Sequence, residues 1–231
     1  MNTNRQDGGG AGTATAALHT TGSAPPGHVD NCESWNGTSW TEVGDLNAAR
    51  REVGGAGIQT AAIIISGNYA PEPRSVNTEY FDGSSWTEGA NLNAAKSNLG
   101  AGGVDASAIA FAGTAGGSPY ALATAEQYNG TSWSEVADLN TIRVNIGGAG
   151  ATGTAALAFG GANDDGDPQA LVESWDGSSW TEVANLSTSR RAIHGSGTNA
   201  SALAVGGETP PASNATEEWT FAASVETVAF D

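Results

Sequence analysis

The sequence predicts an all-β fold in which five similar units stack around a common axis as a β-propeller. One observation is a phrase that recurs as ESWNGTSW (33–40), EYFDGSSW (79–86), EQYNGTSW (126–133) and ESWDGSSW (173–180). A second is an aliphatic marker that recurs five times, as in TAALAFGG. The spacing of both is typical of propeller blades or solenoids. The last tryptophans of the phrase lie 46, 47 and 47 residues apart, at Trp40, Trp86, Trp133 and Trp180.

Each unit is predicted to hold four antiparallel strands. A glycine-rich strand is followed by a small-aliphatic strand that ends at glycine, a variable loop, a short strand that ends in an aromatic residue, a tight turn and a last strand. The units cover the chain as one domain, with blades near 5–47, 50–93, 96–140, 143–187 and 190–231. The markers that define them are Leu18, Ile63, Ile109, Leu157 and Leu203.

The turn in the repeated phrase is an Asn-Gly or Asp-Gly pair between β-rich runs. Such a pair favours a two-residue type I′ hairpin, because both positions need positive φ. With Asn36 and Gly37 as the loop, Trp35 opposes Thr38 and Glu33 opposes Trp40, so both tryptophans share one sheet face. A neighbouring sheet would cover that face, with small residues inside and indole rings outside.

Composition limits the classes of partner and of chemistry. With 25 acidic residues against eight Lys and Arg, the formal net charge of −17 disfavours nucleic acid and anionic membrane surfaces as partners. Cys32 is the only cysteine, so we expect no intramolecular disulfide and a buried or idle thiol. No cationic start with an apolar segment is seen, so no signal peptide is expected. No apolar run approaches the roughly 20 residues of a membrane span.

The order of these features resembles kelch repeats. The kelch pattern has a basic residue in the first strand, a Gly-Gly that ends the second, and then an aromatic residue and a tryptophan around a turn. Arg143, FGG (159–161) and QYNGTSW (127–133) match this pattern in order. The turn is shorter than in kelch repeats, Gly-Gly is complete only at 160–161 and 206–207, and five blades are fewer than the usual six or seven. The Ala/Gly/Thr-rich sequence of the repeats, as in GTSWSEVADLN (130–140), is also similar to that of kelch-type virion structural proteins of marine bacteriophages.

One cation occupies the same position in every unit, 13 or 14 residues before the marker. These five cations would form a ring in a closed propeller, and such a ring could bind a carboxylate, a sulfate or an acidic loop of a partner. The competing interpretation is a repeated structural ion pair with five glutamates that also recur once per unit. The cations are Arg5, Arg50, Lys96, Arg143 and Arg190, and the glutamates are Glu33, Glu79, Glu126, Glu173 and Glu217.

The sequence favours structural roles for the other candidate site residues. The four repeated tryptophans alternate with polar residues, which predicts packing between blades, although exposed rings could stack on sugars. Asp164, Asp165 and Asp167 could collect a Ca²⁺ ion, but the spacing lacks the rest of an EF-hand, so a solvated loop is the preferred interpretation. His19, His28 and His194 share no metal-ligand spacing, and no metal or cofactor is expected.

The sequence favours a display role over catalysis. An active site needs a unique constellation, and most acidic residues here recur in register, so no enzyme is expected. We expect a virion structural or decoration protein, made in the host cytoplasm, that presents variable loops to other virion proteins or to a host surface. A carbohydrate-binding adhesin for host glycans and a glycan-processing enzyme are the competing functions. The oligomeric state stays open. The loops are 68–77, 114–124 and 162–170.

Overall fold

A computed structural model describes residues 1–69 and 74–221 of the 231-residue chain. These residues form β-strands and no helix, and the strands make five antiparallel blades around a central channel together with one two-stranded accessory sheet. The predicted all-β, five-bladed β-propeller is therefore confirmed. No helix among the described residues is long and apolar enough to cross a membrane.

Blades 1 and 2 each contain four strands, and blade 2 is accompanied by a small accessory sheet. Blade 1 consists of β1 (Gly9–Thr13), β2 (Ala16–Ala24), β3 (Gly27–Trp35) and β4 (Trp40–Val43). The accessory sheet pairs β5 (Arg50–Arg51) with β8 (Asn68–Tyr69), and blade 2 consists of β6 (Gly54–Ile58), β7 (Ala61–Ile65), β9 (Thr78–Phe81) and β10 (Trp86–Glu88).

Blades 3 and 4 repeat this arrangement, and blade 5 shows three strands within the described residues. Blade 3 consists of β11 (Gly100–Val104), β12 (Ser107–Phe111), β13 (Ala125–Tyr128) and β14 (Trp133–Val136). Blade 4 consists of β15 (Gly147–Thr152), β16 (Ala155–Phe159), β17 (Val172–Trp175) and β18 (Trp180–Glu182). Blade 5 consists of β19 (His194–Gly197), β20 (Ser201–Val205) and β21 (Thr216–Thr220), and the position predicted for its last strand falls on 222–231, outside the described residues.

The core lies between neighbouring blades. At the boundary of blades 2 and 3, Ile63 of β7 packs with Ala108 and Ala110 of β12 and with the aromatic pair Tyr128 and Trp133. The small alanines let the two sheets approach, and the aromatic rings fill the wider outer space. Full burial of a side chain such as Ile63 stabilises the fold by roughly 1.5–3 kcal/mol. Propeller geometry thus follows from alternating small and large residues along each sheet.

Close approach of the inner strands depends on residues without a side chain. A Cβ placed on Gly55 of β6 would lie 2.7 Å from the carbonyl oxygen of Gly10 in β1. The same position in β15 is Gly148, whose added Cβ would lie 2.6 Å from the backbone nitrogen of Ala101. The glycine-rich first strands therefore bring adjacent blades together around the channel.

The turn of the repeated phrase differs from the predicted two-residue hairpin. Trp35 pairs with Trp40 and Glu33 pairs with Glu42, so the loop contains four residues, Asn36 to Ser39. The Oδ1 atom of Asn36 accepts hydrogen bonds from the backbone N–H groups of Thr38 and Ser39, which stabilises the longer loop. The predicted register was wrong, although both tryptophans still share one face because directly opposed residues do. Ser34 opposes Thr41 on the other face, and Ser39 lies in the loop rather than on that face.

The incomplete Gly-Gly motif at the end of the second strand has a conformational explanation. The first position of this motif is left-handed in all five blades, and the second is always a glycine with positive φ. At the first position the backbone is left-handed even where the residue is not glycine, which costs roughly 1–2 kcal/mol. The first residues are Thr21 (φ 58), Ser66 (φ 61), Ala112 (φ 59), Gly160 (φ 53) and Gly206 (φ 65).

We expect Thr21→Gly to raise the free energy of unfolding by roughly 1 kcal/mol, because it relieves a left-handed β-branched residue whose buried hydroxyl lacks a hydrogen-bond partner. Urea denaturation measures the change. The reverse substitution, Gly160→Thr, is the matched control and should destabilise, since an added Cβ would lie 2.5 Å from the Arg190 carbonyl oxygen. Equal stability of Thr21→Gly and the wild-type protein would contradict this explanation.

Candidate functional site

The structure pairs each of the five repeated cations with the repeated glutamate of its own blade. Each pair links the segment before the first strand to the third strand, and all five cationic side chains are fully buried. The N–O distances are 3.0 Å for Arg5–Glu33, 2.7 Å for Arg50–Glu79, 3.4 Å for Lys96–Glu126, 2.7 Å for Arg143–Glu173 and 2.6 Å for Arg190–Glu217.

Arg143 illustrates how the two terminal nitrogens of the guanidinium group are bonded, while its Nε atom has no hydrogen-bond partner among the described residues. Its Nη2 atom donates to Glu173 Oε1 at 2.7 Å, and its Nη1 atom donates to the carbonyl oxygens of Gly160 at 2.9 Å and Leu171 at 2.8 Å. The two carbonyls lie at the end of the second strand and just before the third. Arginine suits this position because its planar fork reaches a carboxylate and backbone carbonyls together.

The second oxygen of each glutamate binds the linker that precedes the blade, a partner that the sequence analysis missed. Oε2 of Glu173 accepts from the backbone N–H of Asn140 at 2.7 Å and from its side-chain Nδ2 at 2.8 Å. Asn47 and Asn93 bind Glu79 and Glu126 in the same way. The available signal was the recurring Leu-Asn three residues before the cation. We call each set of cation, glutamate and linker residue a clamp.

The clamps of the first and last blades are completed by Asn2 and by Ser187. In blade 1 the backbone N–H of Asn2 donates to Glu33 Oε2 at 2.6 Å, and in blade 5 the N–H of Ser187 donates to Glu217 Oε2 at 2.7 Å. Burial opposes ionisation of Glu33, but the N–H groups of Asn2 and Thr3 and the charge of Arg5 outweigh it. They hold the pKa of Glu33 below its usual value. Glu33 is therefore held as a carboxylate.

Burial of the cations determines what the ring can do. Desolvation lowers the pKa of Lys96, and the neighbouring Glu126 carboxylate opposes that shift. A cation that is fully buried and bonded to a carboxylate presents no charge to a ligand. The geometry thus gives the five cations partners inside their own blades and leaves no exposed basic ring at the channel.

Three of the four repeated tryptophans are buried between blades. Trp86, Trp133 and Trp180 belong to clusters that join their own blade to the preceding one. Trp40 is only half-buried, as is its neighbour Trp35, whose ring is tilted by 39° and has its centroid 5.4 Å away. This pair lies on the face of blade 1 that looks towards blade 5.

The remaining candidates have local roles in the structure. Asp164 Oδ1 accepts from the backbone N–H of Ala121 at 2.8 Å, while Asp165 and Asp167 donate their backbone N–H groups to Asn163 Oδ1. Within residues 1–69 and 74–221, no group of three or more acidic, histidine or cysteine residues is arranged to hold a metal. Burial raises the pKa of Cys32 to about 11, so this thiol stays protonated and unreactive at neutral pH.

One end of the propeller carries all the variable loops together with one mouth of the channel. The first residue of an inner strand pairs with the last residue of the second strand, as Gly100 does with Phe111, so the loop that follows lies beside this mouth. The channel has a volume of about 880 Å³ and is lined by the five inner strands. We call this end the loop face and the opposite end, which carries the repeated four-residue turns, the turn face.

Neighbouring loops on the loop face contact one another directly. The Asp164 carboxylate of blade 4 holds the Ala121 N–H of blade 3. Arg191 bridges two more loops, because its Nη1 atom donates to the Gly166 carbonyl at 2.9 Å and its Nε atom donates to Glu208 Oε1 at 2.6 Å. The Arg74 guanidinium lies against Gly116 so closely that a Cβ there would overlap it. The loops are therefore ordered by their neighbours as well as by their own blades.

The rim of the channel at the loop face is joined by backbone hydrogen bonds between blades. The N–H of Glu52 donates to the Asp7 carbonyl at 2.7 Å, that of Asn98 to Glu52 at 2.9 Å, that of Asn145 to Asn98 at 3.0 Å, and that of Ala192 to Asn145 at 2.8 Å. All five residues have positive φ. Each of the four boundaries from blade 1 to blade 5 is therefore joined by one backbone hydrogen bond at the same level of the channel.

No protein-family model matches this chain, and no curated protein is significantly similar to it.

We expect Glu173→Gln to lower the free energy of unfolding by roughly 3–5 kcal/mol, because it leaves the buried Arg143 guanidinium without its counter-charge. Chemical denaturation at neutral pH provides the measurement. Glu182→Gln is the matched control, since Glu182 lies opposite Glu173 in the sheet but is exposed. A loss below about 1 kcal/mol, the usual range of an exposed pair, would show that the clamps contribute little.

Proposed function

We propose that this chain is a non-enzymatic kelch-type propeller that serves as a structural or decoration protein of a bacteriophage virion. In this proposal its loop face contacts other virion proteins or the host surface. The observation that carries the proposal is the contact network among the variable loops. Asp164, Arg191 and Arg74 each reach from one loop or linker to a neighbouring loop. A surface that is ordered before contact loses less conformational entropy on binding.

The division of polar residues between the two roles supports display rather than catalysis. Repeated charges lie inside the clamps, where each has a structural partner. Polar residues that break the repeat are concentrated in the loops, as in NDDGDP (163–168). Functional residues on loops held by a rigid scaffold are the usual arrangement for recognition. The motif order resembles kelch repeats, and the Ala/Gly/Thr-rich motifs resemble those of phage virion proteins. These two resemblances are the reason for proposing a virion as the place where this surface acts.

Net charge also suits a protein that assembles around packaged nucleic acid without binding it. A formal charge of −17 repels phosphate backbones at long range. The same charge favours solubility before assembly. Contacts to the particle would then be made by protein surfaces.

Location is tested by labelling particles with an antibody against this chain. Particles purified from cultures that carry the gene should show regular label in negative-stain images, because a decoration protein occupies repeated positions. Preimmune antibody on the same particles is the control. Unlabelled particles that also lack the chain in mass spectrometry would rule out a virion role.

The loop face is tested by replacing Asn163–Asp167 with a Gly/Ser segment of equal length. We expect occupancy on particles to fall by roughly tenfold or more, the effect of losing about 1.4 kcal/mol of contact energy. The free energy of unfolding serves as the check on folding. Thr131→Lys on the exposed turn face is the matched control and should leave occupancy unchanged. If Thr131→Lys lowered occupancy and the loop replacement did not, the contact would be assigned to the turn face instead.

A carbohydrate-binding function is the second candidate, favoured by the half-buried pair Trp35 and Trp40. Partly exposed aromatic rings can stack on the apolar face of a sugar, whereas the buried rings of Trp133 and Trp180 cannot. A glycan array identifies a ligand, and Trp40→Ala should then abolish binding. Tyr120→Ala, at an exposed aromatic residue of a loop, is the control. An array without reproducible signal removes this candidate.

A further inference from the structure

Two of the repeated turns begin with an asparagine that is followed directly by glycine. Asn36 precedes Gly37 and Asn129 precedes Gly130, the only Asn-Gly pairs in the chain, and all four residues are exposed on the turn face. The turn itself favours this glycine, because Gly37 has φ 91 and Gly130 has φ 92, a conformation that residues with a side chain rarely adopt. An asparagine side chain and a glycine amide therefore lie next to each other in contact with solvent.

The side-chain carbonyl of each of these asparagines is polarised by two backbone N–H groups. Oδ1 of Asn36 accepts from Thr38 and from Ser39, both at 2.9 Å. Oδ1 of Asn129 accepts from the equivalent N–H groups at 2.9 Å and 3.0 Å. Two donors on one carbonyl oxygen stabilise the negative charge that develops there when a nucleophile attacks the carbonyl carbon. The turn thus supplies the donors of a small oxyanion hole.

The nearest nucleophile is the backbone nitrogen of the following glycine. In the part of the chain that the structure describes, the N–H of Gly37 donates to no acceptor. A Cβ added to Gly37 would meet only Thr15, with no atom closer than 3.5 Å, so the space around this glycine is open. Attack of its nitrogen on Cγ of Asn36 is intramolecular and closes a cyclic imide, so no second reactant has to be brought to the site.

Blades 2 and 4 contain the aspartate form of the same turn. Asp82 and Asp176 take the position of Asn36, and each is followed by a glycine with positive φ. Oδ1 of Asp82 accepts from the N–H groups of Ser84 and Ser85 and from the Ser84 hydroxyl, all at 2.8 Å. The N–H of Ser85, followed by the hydroxyl and N–H of Ser84, lowers the pKa of Asp82 to about 2. A carboxylate therefore fits this turn and accepts the same two backbone bonds.

We propose that Asn36 and Asn129 are sites of spontaneous deamidation, which converts each of them to the aspartate found in blades 2 and 4. The glycine nitrogen loses its proton to hydroxide or water and bonds to Cγ, and the bond from Cγ to Nδ2 breaks, so that Nδ2 leaves as ammonia. Water then adds to the cyclic imide at Cγ and breaks the bond from Cγ to the glycine nitrogen, which leaves an aspartate in an intact chain. Nothing is oxidised or reduced, and water is the only co-reactant.

Water can also add to the main-chain carbonyl carbon of the imide, which gives isoaspartate. The backbone of isoaspartate contains an extra methylene group, which would shift the N–H groups of Thr38 and Ser39 away from the carboxylate. Only the aspartate product therefore keeps the turn seen at Asp82. Each conversion adds one negative charge to the formal charge of −17. The turn face thus becomes more acidic with time, whether or not the chain acts on a virion.

Peptide mapping by mass spectrometry tests the conversion in the folded full chain, incubated at mildly alkaline pH in isotopically labelled water. Asn36 and Asn129 should each show the mass of an amide-to-acid exchange with one labelled oxygen. Their rates should be no more than about tenfold below that of the free peptide ESWNGTSW under the same conditions. The rates should rise with pH, since loss of the N–H proton creates the nucleophile. Slower conversion than this would show that the folded turn protects its asparagine and would overturn the proposal.

Asn163 is the matched control within the same chain. Its Oδ1 atom also accepts two backbone N–H groups, from Asp165 at 3.1 Å and from Asp167 at 2.8 Å, but the next residue is Asp164 rather than glycine. The side chain of that residue hinders attack by its nitrogen, so Asn163 should remain an amide while the two turn asparagines convert. Equal conversion at Asn163 would overturn the assignment of the glycine nitrogen as the nucleophile.

The double variant Asn36→Asp with Asn129→Asp tests whether the fold accepts the product. Its unfolding midpoint in urea should equal or exceed that of the wild-type protein, because the same N–H groups then bond a charged acceptor. Asn36→Ala with Asn129→Ala removes the acceptor and is the control, which should unfold at a lower urea concentration. A midpoint of the aspartate variant below that of the wild-type protein would show that aspartate does not fit these two turns, contrary to the proposal.

Discussion

Each blade depends on one glutamate that binds in two directions. One carboxylate oxygen holds the buried cation of the same unit, and the other holds the linker that arrives from the preceding unit, as Glu173 does with Arg143 and Asn140. An ion pair in the interior is stabilising only when its remaining polar atoms are satisfied. Here most of them are satisfied, by backbone carbonyls at Nη1 of the arginine and by the linker amide at the second carboxylate oxygen, while Nε of Arg143 has no hydrogen-bond partner among the described residues. The clamp therefore couples the fold of a blade to its position beside its neighbour.

Much of the fold was predictable because the repeat expresses the same constraints several times. Alternation of aromatic and polar residues indicated the sheet face that packs, and glycine-rich runs indicated the strands that meet at the channel. The turn was not predicted correctly, since Asn-Gly favours a two-residue loop locally. The Oδ1 atom of Asn36 instead bonds two further N–H groups and lengthens the loop to four residues. Side-chain bonding of this kind competes with backbone turn preference.

The site was less predictable than the fold for a physical reason. The cations and glutamates were visible as repeats, but a repeat does not indicate whether a charge is buried. Asn47, Asn93 and Asn140 were missed because asparagine is common in loops, and its partner lies more than thirty residues away in sequence. Contacts between loops, such as Asp164 with Ala121, depend on blade geometry that no single unit contains. Such contacts can be identified only from the three-dimensional structure.

Loop-to-loop contacts have a consequence for how such a surface can vary over evolutionary time. A change at Asp164 removes the acceptor for an amide in the adjacent blade, and a change at Arg191 affects two loops together. Substitutions in one loop would thus be accepted mainly together with compensating substitutions in the neighbouring loop. Diversity on this surface should accumulate as correlated sets of neighbouring positions rather than as independent single changes.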